Sequence, residues 1–328
     1  APQQIFIAVG FTLSIFLCVL IHELAHALMA KRLNYITKEI NLLPIGGVAN
    51  IETIPENPKH ELLITIVGPI TNIIIAAILF IILKLTFGIP EYSSEINYFT
   101  PQNFIMSLFL VNIFIALFNL LPAFPMDGGR ILRATLSIWV ERVKATRWAA
   151  ILGQFIAIFF IFYGFLSNPF LIFIGVFVYL GAHFEAQQTE VKNFLHEYRV
   201  NDVMMHHFIS LKVNDSINVA VNKLLDGQEK EFIVMDGENV AGIITANEIV
   251  SGLIKKGENI PLSEVMISEF EVLKPETPLE NAYSNLQNKP VTIAPIVQNG
   301  KLIGILNIEK ILEFILIKNA RNQYQRLH

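Results

Sequence analysis

His22, Glu23 and His26 are the residues whose types and spacing point most directly to chemistry. Two histidines four positions apart share one face of a helix, one turn above the other. Imidazoles stacked in this way can share one divalent cation such as Zn2+. The neighbouring carboxylate of Glu23 is then placed to take a proton from a water at that cation. The three residues lie towards the end of an almost wholly apolar run, Ile5 to Ala30, long enough to cross a bilayer as a helix. Ionisable groups in such a run are costly, which marks them as candidates for function. The plainer alternative is a hydrogen-bonded trio inside a helix bundle.

A third donor is expected from Asn119-Leu120-Leu121-Pro122-Ala123-Phe124-Pro125-Met126-Asp127-Gly128-Gly129, which closes another apolar run. Pro122 and Pro125 should end the helix, and the two glycines should release the backbone after Asp127. Irregular backbone at membrane depth needs protein or a wet cavity around it. Asp127 would then reach the depth of the histidine pair from a different helix, although a plain surface turn is the alternative. Two histidines and one carboxylate leave a fourth position open to water, as in a catalytic rather than a structural zinc site.

The elements that must carry these residues follow from composition. The chain has 328 residues, 53% hydrophobic and 16% charged, against about 25% charged in soluble domains. Five apolar runs, roughly 5–30, 62–83, 102–121, 148–166 and 168–186, read as membrane spans. Lys31, Arg32, Lys38 and Lys59 follow the first span, and Arg130, Arg133, Arg142, Lys144 and Arg147 follow the third. The 85–101 connection holds only Glu91 and Glu95 as charged groups. The positive-inside rule therefore places the first two connections in the cytoplasm, residue 1 outside, and the chain after 186 inside. His22, His26 and Asp127 then lie near the cytoplasmic face. The opening run is too long to be a cleaved signal peptide. The numbering opens on Ala1, so an earlier span could precede it. A net charge of −4 without basic blocks gives no sign of nucleic-acid binding. The lone Cys18 excludes an intramolecular disulfide and a cysteine-based metal site.

His22-Glu23-Leu24-Ala25-His26 fits the H-E-x-x-H pattern of zinc peptidases. Together with Asn119-x-x-Pro-x-x-Pro-x-Asp127-Gly128 on a later span, it resembles the site-2 protease family of intramembrane zinc metalloproteases. The resemblance covers residues 5 to about 130. It implies one Zn2+ per chain with His22, His26 and Asp127 as ligands and Glu23 as general base. It also implies that Asn119 binds substrate or stabilises the oxyanion. The implied substrates are transmembrane segments of other proteins, and the implied location is a prokaryotic-type cell membrane.

Other features support a packed site. Gly10, Ser14, Cys18 and His22 recur every fourth position, Thr65, Gly68, Asn72 and Ala76 form a similar stripe, and small residues let helices approach in lipid. Gly68-Pro69-Ile70-Thr71-Asn72 resembles a segment of the same family, and Asn72 could bond across the interface, sit near the metal or meet substrate. Ile40 to Ile51, interrupted by Pro44 and the pair Gly46-Gly47, reads as a hairpin or re-entrant loop. Its edge, with Gly46 and Gly47, could pair with an unwound substrate strand, or the segment could be an ordinary surface turn. His183 is expected at the interface rather than on the metal.

Residues 187–199 read as a polar, helical linker. After it, Val203-Met204 matches Val265-Met266 (265 − 203 = 62), and the same offset relates Gly242-Ile243-Ile244 to Gly304-Ile305-Leu306. An offset that does not drift indicates duplication. Each copy reads as a short strand, a helix, two strands joined at Asp236-Gly237 or Asn299-Gly300, and a helix. This is similar to a tandem pair of CBS domains over about 200–260 and 262–316, followed by a basic tail, 317–328. The fold expected is thus a polytopic α-helical membrane domain, 1–186, followed by a cytosolic α/β pair. Such pairs often bind adenine nucleotides, which singles out Thr245. The usual ribose-contacting Asp is replaced by Glu248 in one copy and Lys310 in the other, so dimerisation or gating fits equally. A CBS-regulated cation transporter or channel is the competing class. Ion pathways need polar groups at successive depths, whereas here the ionisable groups gather at one end.

Overall fold

The computed structural model describes residues 2–35, 37–43, 46–51, 55, 57–88, 100–227, 229–287, 289 and 291–327. The chain divides into two compact units, Ala1–Thr189 and Glu190–His328.

The first unit is built from long helices. These are α1 (Pro2–Arg32), α2 (Pro58–Phe87), α3 (Pro101–Asn119), α4 (Asp127–Leu136), α5 (Arg142–Leu166) and α6 (Phe170–His196). An antiparallel hairpin of β1 (Thr37–Leu43) and β2 (Gly46–Ile51) packs against α1. Five of the helices, all but α4, are long and apolar enough to cross a membrane. Their large side chains, such as Leu13, Leu28, Ile74, Leu117, Phe155 and Phe173, point outwards, while small and polar residues are buried. That inversion is how helices associate in lipid, where burying a leucine gains nothing and close backbone approach gains dispersion contacts. The α2 stripe Thr65, Gly68, Asn72 and Ala76 is buried as expected. On α1 the stripe serves only from Cys18 onwards, because Gly10 has open space where a side chain would stand.

Hydropathy placed several boundaries differently from the helices. α2 starts at Pro58 with Asn57 as its cap, and α5 starts at Arg142, not 148. Hydropathy registers only the lipid-soluble middle of a helix, so polar first turns are missed. α3 stops at Asn119, two residues before the expected 121, and Leu120 to Met126 cross to α4 through Pro122 and a cis Phe124–Pro125 bond. Asp127, Gly128 and Gly129 are not released backbone but the opening turn of α4. The span expected to end at 186 and the linker expected over 187–199 form one helix to His196, since nothing between Ala182 and His196 breaks it.

In the second unit, β3 (Ser210–Lys212), α7 (Ile217–Asp226), β4 (Glu231–Asp236), β5 (Asn239–Thr245) and α8 (Ala246–Lys256) form one copy. α9 (Leu279–Gln287), β6 (Ile293–Gln298), β7 (Lys301–Asn307) and α10 (Ile308–Leu327) form the other. The expected order of elements is present, except that the first strand of the second copy is reduced to one parallel bridge, Leu273 to Ile296. The β4–β5 turn is Gly237-Glu238, one residue beyond the expected pair, with Gly237 at φ +61°. Its counterpart, Asn299-Gly300, has both residues at positive φ, a geometry that Asn-Gly favours. The copies exchange pairing. Met205 bridges Ile305 and its equivalent Ile267 bridges Ile243, around a shared apolar core of Ile233, Ile243, Val291, Ile293 and Ile305. The tail is ordered helix, because α10 runs to Leu327.

Candidate metal centre

α1 carries the histidine pair, with the ring centroids 4.8 Å apart and nearly perpendicular. α4 brings Asp127 to it. His22 Nε2 and His26 Nε2 are 3.1 Å apart, and each lies 3.2 Å from Asp127 Oδ2. All three residues are buried, at 3%, 7% and 9% exposure. Among the described residues they are the one group of His, Cys, Asp or Glu donors close enough to share a cation.

The hydrogen bonds behind the ring nitrogens decide what this triangle can hold. His26 Nδ1 is 2.7 Å from the Ile64 carbonyl oxygen. A carbonyl only accepts, so Nδ1 carries the proton and Nε2 keeps a lone pair. For His22 the same result follows through a relay. Asn112 Nδ2 donates to the Leu108 carbonyl at 2.8 Å, which turns Asn112 Oδ1 towards Asn72. Asn72 Nδ2 donates to that oxygen at 2.9 Å, which turns Asn72 Oδ1 onto His22 Nδ1. Two Nε2 lone pairs and a carboxylate oxygen therefore converge on one point and would repel one another without a cation between them. Zinc bonds of about 2.0–2.1 Å at tetrahedral angles put donors roughly 3.3 Å apart, close to the spacing found. The residues present fit Zn2+.

Glycines admit the helices to the site. A Cβ on Gly68 would lie 2.3 Å from His26 Nε2 and 2.7 Å from His22 Cε1, so α2 presents bare backbone to the two imidazoles. A Cβ on Gly128 would lie 2.1 Å from the Leu121 carbonyl oxygen, and one on Gly129 2.6 Å from Phe124 N. The first turn of α4 thus nests against the 120–124 loop, which fixes where Asp127 starts.

Glu23 follows His22 on α1. It is buried, and its carboxylate makes no hydrogen bond to another described side chain, so it is not tied to a structural partner. Asn119 is the last residue of α3, half-buried and without a side-chain hydrogen bond among the described residues. Asn72, a candidate for substrate contact, has both ends of its amide engaged by His22 and Asn112. Gly46 and Gly47 pair with Leu43 and Leu42 at the start of β2, while Pro44 and Ile45 fall outside the described residues. His183 is exposed, in keeping with no ligand role. In the second unit the Thr245 hydroxyl caps α8 by accepting from Asn247 N and bonds Glu248.

Sequence reasoning passed over Gly68 as a contact of the imidazoles, Asn112 as the anchor of the relay, and a buried ion cluster. In that cluster Arg133 reaches Glu61 from α2 and Glu185 from α6, and Arg142 lies 3.2 Å from Glu61 Oε2. Burial works against the Arg133 charge, but the two carboxylates outweigh it and raise its pKa above the ordinary arginine value. By sequence Arg133 counts as one of the basic residues of the connection after the third span. An uninterrupted apolar context around Asn112 was the one signal available for the relay.

Residues 10–97 and 86–164 match the model of Peptidase family M50, and residues 200–255 and 262–317 match the CBS domain. A zinc metalloprotease of Methanocaldococcus jannaschii is 32% identical over 324 residues, covering 98% of this chain and 89% of the relative. Stage IV sporulation protein FB of Bacillus subtilis is 32% identical over 136 residues, 41% of this chain and 43% of that protein. The solved structure of a site-2 protease from M. jannaschii covers 56% of this chain and 88% of its own, at 36% identity and a TM-score of 0.43.

Proposed function

The chain belongs to Peptidase family M50, as an integral-membrane zinc metalloprotease of site-2 protease type with CBS domains, and we propose that it cleaves peptide bonds in or near transmembrane segments of other membrane proteins. The observation that carries this reading is the convergence of two Nε2 lone pairs and the Asp127 carboxylate beside an uncommitted Glu23. In this reading His22, His26 and Asp127 hold Zn2+, one per chain. When bound, the ion supplies Lewis acidity that makes water nucleophilic near neutral pH. Glu23 accepts the proton that this water loses and returns it to the leaving amine. The Asn119 amide, at the end of α3, donates to the carbonyl oxygen as negative charge develops on it. The Ile64 carbonyl and the Asn112–Asn72 relay hold both imidazoles with their lone pairs inwards.

A helical substrate hides its carbonyls, so it must unwind before attack. Among the described residues the β1–β2 hairpin has two strands, and an outer edge can take an extended segment by strand addition, with Gly46 and Gly47 at its turn end. The basic residues Lys31, Arg32, Lys59, Arg130, Lys144 and Arg147 support a site near the cytoplasmic face and a cytoplasmic CBS pair. The pair is read as a regulator and a surface for homodimer formation. With Thr245 capping α8 and no Asp at the ribose position, support for gating or dimerisation is stronger than for an adenine nucleotide.

The test is Glu23→Gln in the full chain, reconstituted with a single-span substrate. Hydrolysis should fall by at least about 1,000-fold with zinc content unchanged, since the base is lost and the ligands remain. Undiminished cleavage would remove Glu23 from the mechanism.

A further inference from the structure

We infer that Arg133 is a positioning residue for the metal centre, holding Asp127 and His26 in register from behind. This rests on the metal-site reading above. Arg133 is 2% exposed, and all three guanidinium nitrogens are used. Nε donates to Glu61 Oε1 at 2.9 Å, Nη2 pairs with the same oxygen, and Nη1 pairs with Glu185. The guanidinium also stacks over the Phe124 ring, 5.1 Å from its centroid, and Phe124 is fully buried.

Each of these contacts leads to the site by a short route. Asp127 opens α4, and a helix of 10 residues is too short to hold its own place. Its first turn is nested by Gly128 and Gly129 against the 120–124 loop, and Arg133 fastens the other end while gripping Phe124 in that loop. Glu61 stands three residues before Ile64 on α2, and the Ile64 carbonyl orients His26. One guanidinium therefore ties the helix that supplies Asp127 to the helix turn that aims His26. Glu185 adds a third tether, from α6. Arginine suits this role because its planar fork reaches two carboxylates at once, which a lysine ammonium on a flexible stem does not.

The test uses the metal-stripped full chain in detergent, titrated with Co2+ and read by visible absorption. Wild-type protein should bind one Co2+ with a tetrahedral spectrum. Arg133→Lys keeps the charge but loses the fork, and should weaken Co2+ binding by about 10–100-fold, as loss of a supporting partner does, and alter the spectrum. Gly164→Ala crowds Leu171 and Ile172 in α6, near the end of α5 remote from α4, and should lower the melting temperature while leaving affinity and spectrum as in wild type. If R133K does not fold, the triple variant E61Q/R133M/E185Q removes the buried charges together and should show the same metal defect. Wild-type affinity and spectrum in R133K or in the triple variant would overturn the positioning role. A wild-type chain that binds no Co2+ would overturn the metal reading and this inference with it.

Discussion

The two units bury opposite things. In the membrane unit the buried residues include His22, Glu23, His26, Glu61, Asn72, Asn112, Asp127 and Arg133, while leucines and phenylalanines face outwards. In the CBS unit, Thr245 is the one buried polar residue among those described, and the cores are Ile, Leu, Val and Phe. The same chain thus solves folding in two solvents. In water, apolar burial supplies the driving force, at about 25 cal/mol per Å2. In lipid that force is absent between helices, and small residues together with paired polar groups hold the bundle. Polar side chains that would be liabilities in a soluble core become the structure, and they meet at the metal centre.

The sharpest way to break that contrast is Gly68→Ala. One methyl would be nearly neutral in many apolar helices, but here it lands 2.3 Å from His26 Nε2. Metal content and hydrolysis should both fall by more than about 100-fold, while the CBS unit melts as before. Retained zinc by elemental analysis would mean that α2 does not crowd the imidazoles. Ile244→Ala should do the reverse. It empties a fully buried position of the first CBS core and should cost about 2–5 kcal/mol in denaturant unfolding of that unit, with zinc still at one per chain. Asn112→Ala has the smallest effect of the three. It leaves every ligand in place but frees Asn72 to rotate, and zinc affinity should drop by about 10-fold in a chelator competition. An unchanged affinity would show that His22 needs no relay to fix its tautomer.

His22, Glu23 and His26 were legible because a helical spacing of four and charges within an apolar run stand out without any partner in view. Asp127 followed from topology, since Pro122 and Pro125 keep the third span from continuing, although the glycines open α4 rather than release the backbone. The repeat was legible through its fixed offset of 62 (304 − 242), and its two turns fell within a residue of the expected pairs, although the first strand of the second copy is only a bridge. What stayed hidden depended on pairs distant in sequence. Gly68 matters through the absence of a side chain opposite His26, and Asn112 through Asn72, 40 positions away. Arg133 was misread because counting basic residues between spans treats each as solvent-facing, whereas this one is enclosed by α2, α4 and α6. α4 itself was missed because 10 residues beginning Asp-Gly-Gly carry little helical signal until the 120–124 loop is packed beneath them.

The central claim is that α1 and α4 share one zinc ion, and zinc-edge X-ray absorption of the purified full-length Glu23→Gln protein tests it most directly. The account predicts one zinc per chain with two imidazole nitrogens and oxygen donors, at about 2.0–2.2 Å, and loss of the signal on Asp127→Ala. Sulfur scattering from Cys18, or full zinc occupancy in the Asp127→Ala protein, would contradict it.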